Sequence, residues 1–458
     1  MRLTDTLLPS IHRQAIATGF EFRYGGSPLV KKLRELQDSQ WLPEEQVRAI
    51  QWGKLKALVT YCYHKVPYYR RSMDSAGIHP DGTLTPEEYA RLPVIPKAEV
   101  NAHRDEMAFS YPRYRLIKTA SGGSTGVPVT LYHDPEMVAS YRAVKLRNFE
   151  WVGWRPGYRW ARLWGSAFDV APHQKFLHRL ADKLSNMMVL PCFEMSHKTM
   201  AEFAQKLQKF QPDIIEAYVT PMYIFASYLQ EKGIDGISPK GIICSAEMLY
   251  PYQRALIEEV FGCKVFNRYG GREMGDIAHE CEAGSMHMNA ESTYVEFIRE
   301  GRPASEGESG EIILTALDMY GMPLLRYQVE DIGRPSLPGK DRCPCGRGLP
   351  TMDVVEGRVQ DMLSLSGGRF LPGEFFPHLF KDYPIERFQV VQDSLDRLLI
   401  KIVPSEGLIQ EHIDSLRRTI GEYVGQEILV DFSFVSEIPF TPSGKFRYTI
   451  SRVPIKLS

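Results

Sequence analysis

This chain has almost no excess charge of either sign: 55 Lys and Arg face 56 Asp and Glu, a net charge of -1. A general attraction to nucleic acid or to an anionic membrane surface is therefore excluded. Long apolar runs are missing as well. Met1 to Phe20 mixes Arg2, Asp5, His12 and Arg13 with short apolar pieces, so neither a signal-peptide core nor a membrane-length span is present and a cytoplasmic location is expected. Cysteine is sparse, with seven residues at 62, 192, 244, 263, 281, 343 and 345. An odd and mostly scattered set points to reduced thiols rather than a disulfide framework. Internal repeats and low-complexity tracts are absent, and so is the Walker-type lysine that follows many phosphate-binding glycine loops.

What is there suits a soluble globular protein. The 458 residues are 43% hydrophobic and 24% charged, enough to bury a sizeable core, and the length is a soft prior of about three domains. Residues 45–64 read as an amphipathic helix with Val47, Ile50, Leu55, Leu58, Val59 and Cys62 on one face, ended by Val66-Pro67. Between about 140 and 265, helical patterns at 200–210 and 251–261 alternate with short apolar runs at Ile214-Ile215 and Ile242-Ile243-Cys244. That alternation predicts an α/β sheet with crossover helices. Ser292 to Ile298 and Glu311 to Thr315 read as a strand pair opening a β-subdomain at about 285–357. Beyond 357 come strands at Phe388 to Val391 and Leu398 to Val403, and a helix whose Ile409, Ile413, Leu416 and Ile420 share a face. A strand alternating at Ile428, Val430, Phe432 and Phe434 follows. The expected architecture is a large α/β domain over 1–357 and a small α+β domain over 358–458.

Three stretches carry possible chemistry. Ser121-Gly122-Gly123-Ser124-Thr125-Gly126 lets backbone amides approach phosphate oxygens and adds hydroxyl donors; alone it is equally a polar connector. Asn267-Arg268-Tyr269-Gly270-Gly271-Arg272-Glu273 follows the apolar Val265-Phe266, at the carboxyl end of an expected strand, where open α/β sheets bind ligands. There Glu273 could hold magnesium between ATP phosphates and Tyr269 could stack on adenine, or Glu273 could be a solvated loop acid. In Leu325 to Gly333, Asp331 could accept both ribose hydroxyls or simply shape a turn. Far downstream, Pro439 to Arg447 sets Lys445 after Gly444, a cation that could converge on the same anion.

Taken in this order, the four pieces resemble the adenylate-forming superfamily of acyl-CoA synthetases, in its phenylacetate-CoA ligase-like branch, which includes relatives linked to capsule polysaccharide synthesis. His64 to Arg70, Ala76-Gly77-Ile78 and Leu92-Pro93-Val94-Ile95-Pro96-Lys97 look like the opening segment of that branch. The resemblance implies an enzyme with nucleotide contacts at Ser121, Gly122, Gly123, Ser124, Thr125, Gly126, Ser245, Ala246, Glu247, Arg268, Tyr269, Gly270, Gly271, Arg272, Asp331, Arg358 and Arg369. It makes Lys445 and Glu273 catalytic, with Glu273 on magnesium, and places a hinge at Gln360 and Asp361. Gln360 stands where the family normally has Asp or Lys, Val127 replaces a frequent lysine in the phosphate loop, and Arg272 replaces a frequent threonine. Arg369 fits an arginine of acetyl-CoA-synthetase relatives, where this branch often has asparagine.

Cys281, His287, Cys343 and Cys345 could form a closed tetrahedral zinc site, and their spacing leaves reduced cysteines beside a turn equally open. Resemblance to zinc-bearing members of the branch implies structural zinc, with His279 as a substitute ligand. Trp164, Gly165 and Tyr218 fall where the family places acyl contacts, and the tryptophans at 151, 154, 160 and 164 suit an aromatic or medium aliphatic acid. The expected reaction activates a carboxylate with ATP and magnesium to acyl-AMP and pyrophosphate, then transfers the acyl group to coenzyme A. The alternative acceptor is an amine of an amino acid or sugar; a nucleotide-binding protein without catalysis is disfavoured by Glu273, Asp331 and Lys445 together. No nucleic-acid or membrane partner is expected, and the chain is read as a monomer or homodimer.

Overall fold

The structure, a computed structural model, describes residues 28–80, 83–109, 111–112, 115–120, 129–164, 182, 185–192, 196–305, 307–336, 343–358, 363–365, 370–371, 375–380, 383–425, 427–439 and 446–453. Its longer helices are α1 (Pro28–Ser39), α2 (Glu44–Lys65), α3 (Pro135–Trp151), α4 (His197–Phe210), α5 (Val219–Lys232), α6 (Pro251–Phe261) and α7 (Gln410–Val424). No helix among the described residues is long and apolar enough to cross a membrane.

Apart from the hairpin β1 (Ile117–Ala120) and β2 (Thr130–His133), the large lobe has one 12-stranded sheet. Its first half is parallel: β3 (Trp160–Trp164), β4 (Met187–Pro191), β5 (Ile214–Tyr218), β6 (Gly241–Ser245) and β7 (Lys264–Gly271), in the order β4-β3-β5-β6-β7. The apolar runs that predicted it are buried along their length because helices cover both faces. On one face Leu207 of α4, Phe225 of α5 and Ile257 of α6 pack on Ile215, Ile242 and Val265; on the other, Phe149 of α3 meets Ile214, Ile243 and Phe266.

The sheet then turns antiparallel at β8 (Gly275–Glu280) and continues through β9 (Met286–Met288), β10 (Thr293–Arg299), β11 (Arg302–Pro303), β12 (Gly310–Ala316), β13 (Tyr327–Pro335) and β14 (Thr351–Arg358). The predicted strand pair is β10 with β12, in antiparallel register from Thr293 opposite Ala316 to Ile298 opposite Glu311. These β-strands are an extension of the parallel sheet rather than a sheet of their own, since β7, β8, β9 and β14 bond in succession. Helix α2 lays Leu55, Leu58, Val59 and Cys62 into the core beneath them, while Ile50, expected on that face, is exposed and Gln51 is buried instead. The cause is specific: the Gln51 side-chain amide donates to the Thr293 carbonyl at 2.8 Å, so a polar group turns inward.

A separate core builds the small lobe. Strands β17 (Ile385–Ser394), β18 (Arg397–Pro404), β19 (Leu429–Phe434) and β20 (Thr449–Ser451) form a sheet in the order β19-β18-β17-β20; β15 (Leu363–Ser364) and β16 (Phe370–Leu371) pair nearby. Val390, Ile400, Ile413, Leu416, Ile420 and Val424 fill the space between sheet and α7. Two expected core residues stand outside it. Ile409 stands one residue before the helix and is exposed, and Phe434 is the exposed last residue of the edge strand β19.

Candidate functional site

The parallel strands end together at Trp164, Tyr218, Ser245 and the start of the Arg268 to Gly271 segment, where neighbouring registers pair Tyr218 with Ser245 and Ser245 with Arg268. Ala246 follows with φ at +74°, a backbone conformation that side-chain-bearing residues rarely adopt. Strain of this kind, of order 1–3 kcal/mol, persists only where surroundings hold it. Here it turns the chain so that Glu247 comes back over the sheet edge. Each Glu247 carboxylate oxygen accepts a backbone hydrogen bond, Oε2 from Thr220 N–H at 2.7 Å and Oε1 from Phe446 N–H at 2.9 Å.

The two motifs read separately in the sequence meet directly. The Tyr269 hydroxyl donates to Asp331 Oδ2 at 2.7 Å, across 62 residues of chain. Gly270 has no room for a side chain, because a Cβ there would lie 2.5 Å from the Gly275 carbonyl; at Gly271 a Cβ would lie 2.6 Å from Glu273 Oε2. The glycines thus let the turn fold back until the Glu273 carboxylate sits against the backbone. Arg272 lies on the same turn, half-buried. His133, at the end of β2, bonds through Nε2 to the Glu273 carbonyl at 3.1 Å, and burial lowers its pKa, favouring the neutral ring. β1 and β2 pair from Ile117 with His133 to Ala120 with Thr130, so the His133 end of this strand pair abuts the turn.

Asp331 is fixed from its other side. Lys97 donates to Glu330 Oε2 at 2.7 Å, and Ile95 exchanges backbone bonds with Arg326 and Gln328, both 2.9 Å. The opening segment around Leu92 to Lys97 therefore braces the strand carrying Asp331. Asp331 also pairs in register with Arg358, the last residue of β14. Ser121 to Gly126, Gly165, Gln360, Asp361, Arg369 and Lys445 lie outside the described residues, as does the side chain of Arg358.

Beneath the edge is a charge cluster that sequence reasoning missed. Glu216, fully buried on β5, is held by Lys145 at 2.8 Å, Arg162 at 2.8 Å and Arg268 at 2.6 Å, with Asp276 3.6 Å from Arg268. Burial alone would raise the Glu216 carboxyl; the combined charge of Arg162, Lys145 and Arg268 outweighs it and holds the group well below the usual carboxylate range. Burial pushes the Lys145 ammonium down to about 8 despite the pull of Glu216. The Arg162 guanidinium lies 4.4 Å from the centre of the Trp164 ring, which itself packs on Tyr218 at 4.3 Å. Both aromatic rings are buried, so they join the cluster to the core. A lone acid inside the apolar run Ile214 to Tyr218 was the available signal.

A second constellation lies on the far side of β8. Sulfur and nitrogen ligand atoms of Cys281, His287, Cys343 and Cys345 all fall within 4.8 Å of one another. The Cys281 and Cys343 sulfurs are 3.5 Å apart, and Cys345 Sγ is 3.3 Å from His287 Nε2. His287 Nδ1 faces the Leu349 carbonyl at 2.9 Å, and a carbonyl only accepts, so Nδ1 carries the proton and Nε2 keeps its lone pair for the group of sulfurs. His279 pairs opposite His287 in the ladder and is not one of the four.

Residues 364–452 match the family model described as the CapK C-terminal domain. The phenylacetate-coenzyme A ligase of Thermus thermophilus is 29% identical over 405 residues, 85% of this chain and 86% of that protein. The chain is similar over most of its length to phenylacetate-coenzyme A ligases. The Aromatoleum evansii phenylacetate-coenzyme A ligase is 28% identical over 444 residues, 92% of this chain and 98% of its own length. Among solved structures, 2-hydroxyisobutyryl-CoA ligase in its postadenylation state covers 90% of this chain at TM-score 0.73 and 20% identity, with 91% of that chain covered. The fold is therefore that of the adenylate-forming ligases, with α/β large lobe and a C-terminal domain.

The buried carboxylate makes a prediction. In Glu216→Gln three cations face a neutral amide, and stability at pH 7 is expected to fall by about 3–5 kcal/mol in denaturant titration. Because the folded pKa is depressed, the wild-type advantage is complete above the unfolded value near ~4.3 and shrinks as pH drops below it. A loss under about 1 kcal/mol, or one that persists unchanged at low pH, would contradict this reading.

Proposed function

We propose that this chain is an AMP-forming acid-CoA ligase. One carboxylate oxygen of the acid attacks the α-phosphorus of ATP, the bond to the β-phosphate oxygen breaks, and pyrophosphate leaves; the thiol of coenzyme A then attacks the acyl carbon and AMP leaves. The observation that carries the reading is the Tyr269 to Asp331 hydrogen bond of 2.7 Å, which sets a ring able to stack on adenine beside a carboxylate able to accept ribose hydroxyls. Homology over most of the chain to phenylacetate-coenzyme A ligases supports the same activity.

In this reading Ser121, Gly122, Gly123, Ser124, Thr125 and Gly126 cradle the phosphates, and Ser245, Ala246, Arg268 and Tyr269 border the base. Asp331 takes the ribose hydroxyls, Arg358 and Arg369 lie beside the nucleotide, and Gln360 with Asp361 forms the pivot between lobes. Magnesium bound through Glu273 would neutralise phosphate charge; the Gly271 to Glu273 turn leaves that carboxylate on the edge. Lys445 supplies the cation that lets one anion approach another. Trp164, Gly165 and Tyr218 border the acyl group. The acid is aromatic or of medium chain length.

Zinc suits the cysteine cluster. Bond lengths of about 2.3 Å to sulfur and 2.0 Å to nitrogen in a tetrahedron put two sulfurs about 3.8 Å apart and a sulfur and nitrogen about 3.5 Å apart, and the 3.5 and 3.3 Å separations here come within about 0.3 Å of these before any ion is bound. All four positions would be filled by protein, so the ion would tie β8 and β9 to the Cys343 turn rather than meet substrate.

Pyrophosphate–ATP exchange across a panel of aromatic and medium-chain acids, followed by competition between coenzyme A and amines for the acyl group, tests the activity. Exchange with at least one acid and a product that requires coenzyme A are expected; no exchange with any acid, or product formation indifferent to coenzyme A, would overturn the proposal. Elemental analysis of protein purified without chelator should find about one zinc per chain, reduced by Cys343→Ser. Metal-free protein of unaltered stability would remove the zinc assignment.

A further inference from the structure

We infer that Glu247 is a positioning residue that docks the small lobe for adenylation, acting through the backbone next to Lys445. This rests on the ligase reading for the role of Lys445, while the docking itself stands on contacts of Glu247 alone.

Thr220 is the second residue of α5, and a helix of this length leaves its first N–H groups without intrahelical acceptors. The helix N-terminus also carries partial positive charge that favours a carboxylate. Glu247 Oε2 satisfies the Thr220 N–H at 2.7 Å, which anchors the side chain to the large lobe. Its other oxygen reaches 199 residues along the chain to the Phe446 N–H at 2.9 Å. Phe446 is the residue after Lys445, so the bond fixes the peptide unit that joins the two.

That segment belongs firmly to the small lobe. The Phe446 ring is buried with Val403 and Ile438, the Gln389 side chain donates to the Arg447 carbonyl at 3.1 Å, and Val390 N–H donates to the Tyr448 carbonyl at 2.8 Å. The Tyr448 ring meets Tyr250 of the large lobe edge-on at 6.0 Å. A small-lobe rotation cannot keep the Phe446 bond, because the donor moves with β17 and β20 while the acceptor stays on the strained Ala246 turn. Glu247 therefore favours the adenylation arrangement over the one that admits coenzyme A. The resemblance of the whole chain to 2-hydroxyisobutyryl-CoA ligase agrees, with TM-score 0.73 for its postadenylation state and 0.59 for its thioesterification state.

Glu247→Gln is the probe, since it keeps size and one acceptor but turns an NH2 toward either the Thr220 or the Phe446 N–H. Hydrogen exchange of the peptide 446–453 in the ligand-free full chain should quicken several-fold in the variant while β18 is unchanged; equal protection in both proteins would overturn the docking. In half-reaction assays adenylation kcat should fall about tenfold, as expected for one lost charge-assisted bond, with the KM for ATP unchanged and the rate from supplied acyl-adenylate plus coenzyme A undiminished. A raised KM with kcat intact would mean a nucleotide contact, and equal loss in both half-reactions a structural role; either would refute the positioning role. Absence of any exchange in the wild type would count against the ligase reading instead, leaving the hydrogen-exchange result to decide the docking.

Discussion

Two cores that fold around different sheets are joined by a carboxylate whose oxygens are divided between them, with the Tyr448 ring against Tyr250 beside it. The large-lobe sheet sets the position of Glu247, because β6 ends at Ser245 and the left-handed Ala246 turns the chain back over the edge. The small lobe supplies an N–H from a segment held on β17 by the Val390 to Tyr448 and Gln389 to Arg447 bonds. Wherever Phe446 sits, Lys445 is one residue away. Under the proposed function the relation between the lobes decides whether that cation reaches the nucleotide, and a hydrogen bond of modest strength can be lost and regained during a catalytic cycle.

The charge arrangement below the edge serves a compatible end. Joining a carboxylate to a phosphate sets negative charge against negative charge, and the proposed site meets it with fixed groups rather than mobile counterions. Arg162, Lys145 and Arg268 surround Glu216 while Asp276 balances Arg268, which leaves the cluster one charge positive beneath Trp164 and Tyr218. Packed against aromatic rings and largely out of water, these side chains lose little orientation when substrate arrives. Rigid packing at this level and a separable lobe above it divide the work between order and movement.

Much of this was legible in the sequence, and for identifiable reasons. Val265 to Glu273 declared itself because an apolar strand ran into a tyrosine, two glycines and an acid, and those glycines are required by the close return of the chain at Gly275 and Glu273. Runs such as Ile214-Ile215 and Ile242 to Cys244 predicted an α/β sheet with crossover helices, and the strands they form are parallel and buried along their length. What periodicity could not see were the ends and the partners. Ile409 continues an apolar pattern one residue before its helix, Phe434 ends an edge strand exposed, and Ile50 yields its inward place to Gln51, whose amide bonds the Thr293 carbonyl. Glu216 went unnoticed in the sequence because two of its cations come from 71 and 52 residues away. Glu247 stood in a segment marked for adenine, yet its carboxylate is engaged by backbone from both lobes, a fact set by tertiary structure alone.

The central claim is that the small lobe delivers a cation needed for joining the acid to AMP and for nothing after it. Its most direct test is Lys445→Ala assayed on the two half-reactions separately, with pyrophosphate exchange for the first and supplied acyl-adenylate plus coenzyme A for the second. The account predicts that the first falls by at least about a hundredfold, the scale of losing one preorganised charge-stabilising group, while the second proceeds at the wild-type rate. Equal loss of both, or exchange that survives the substitution, would contradict it.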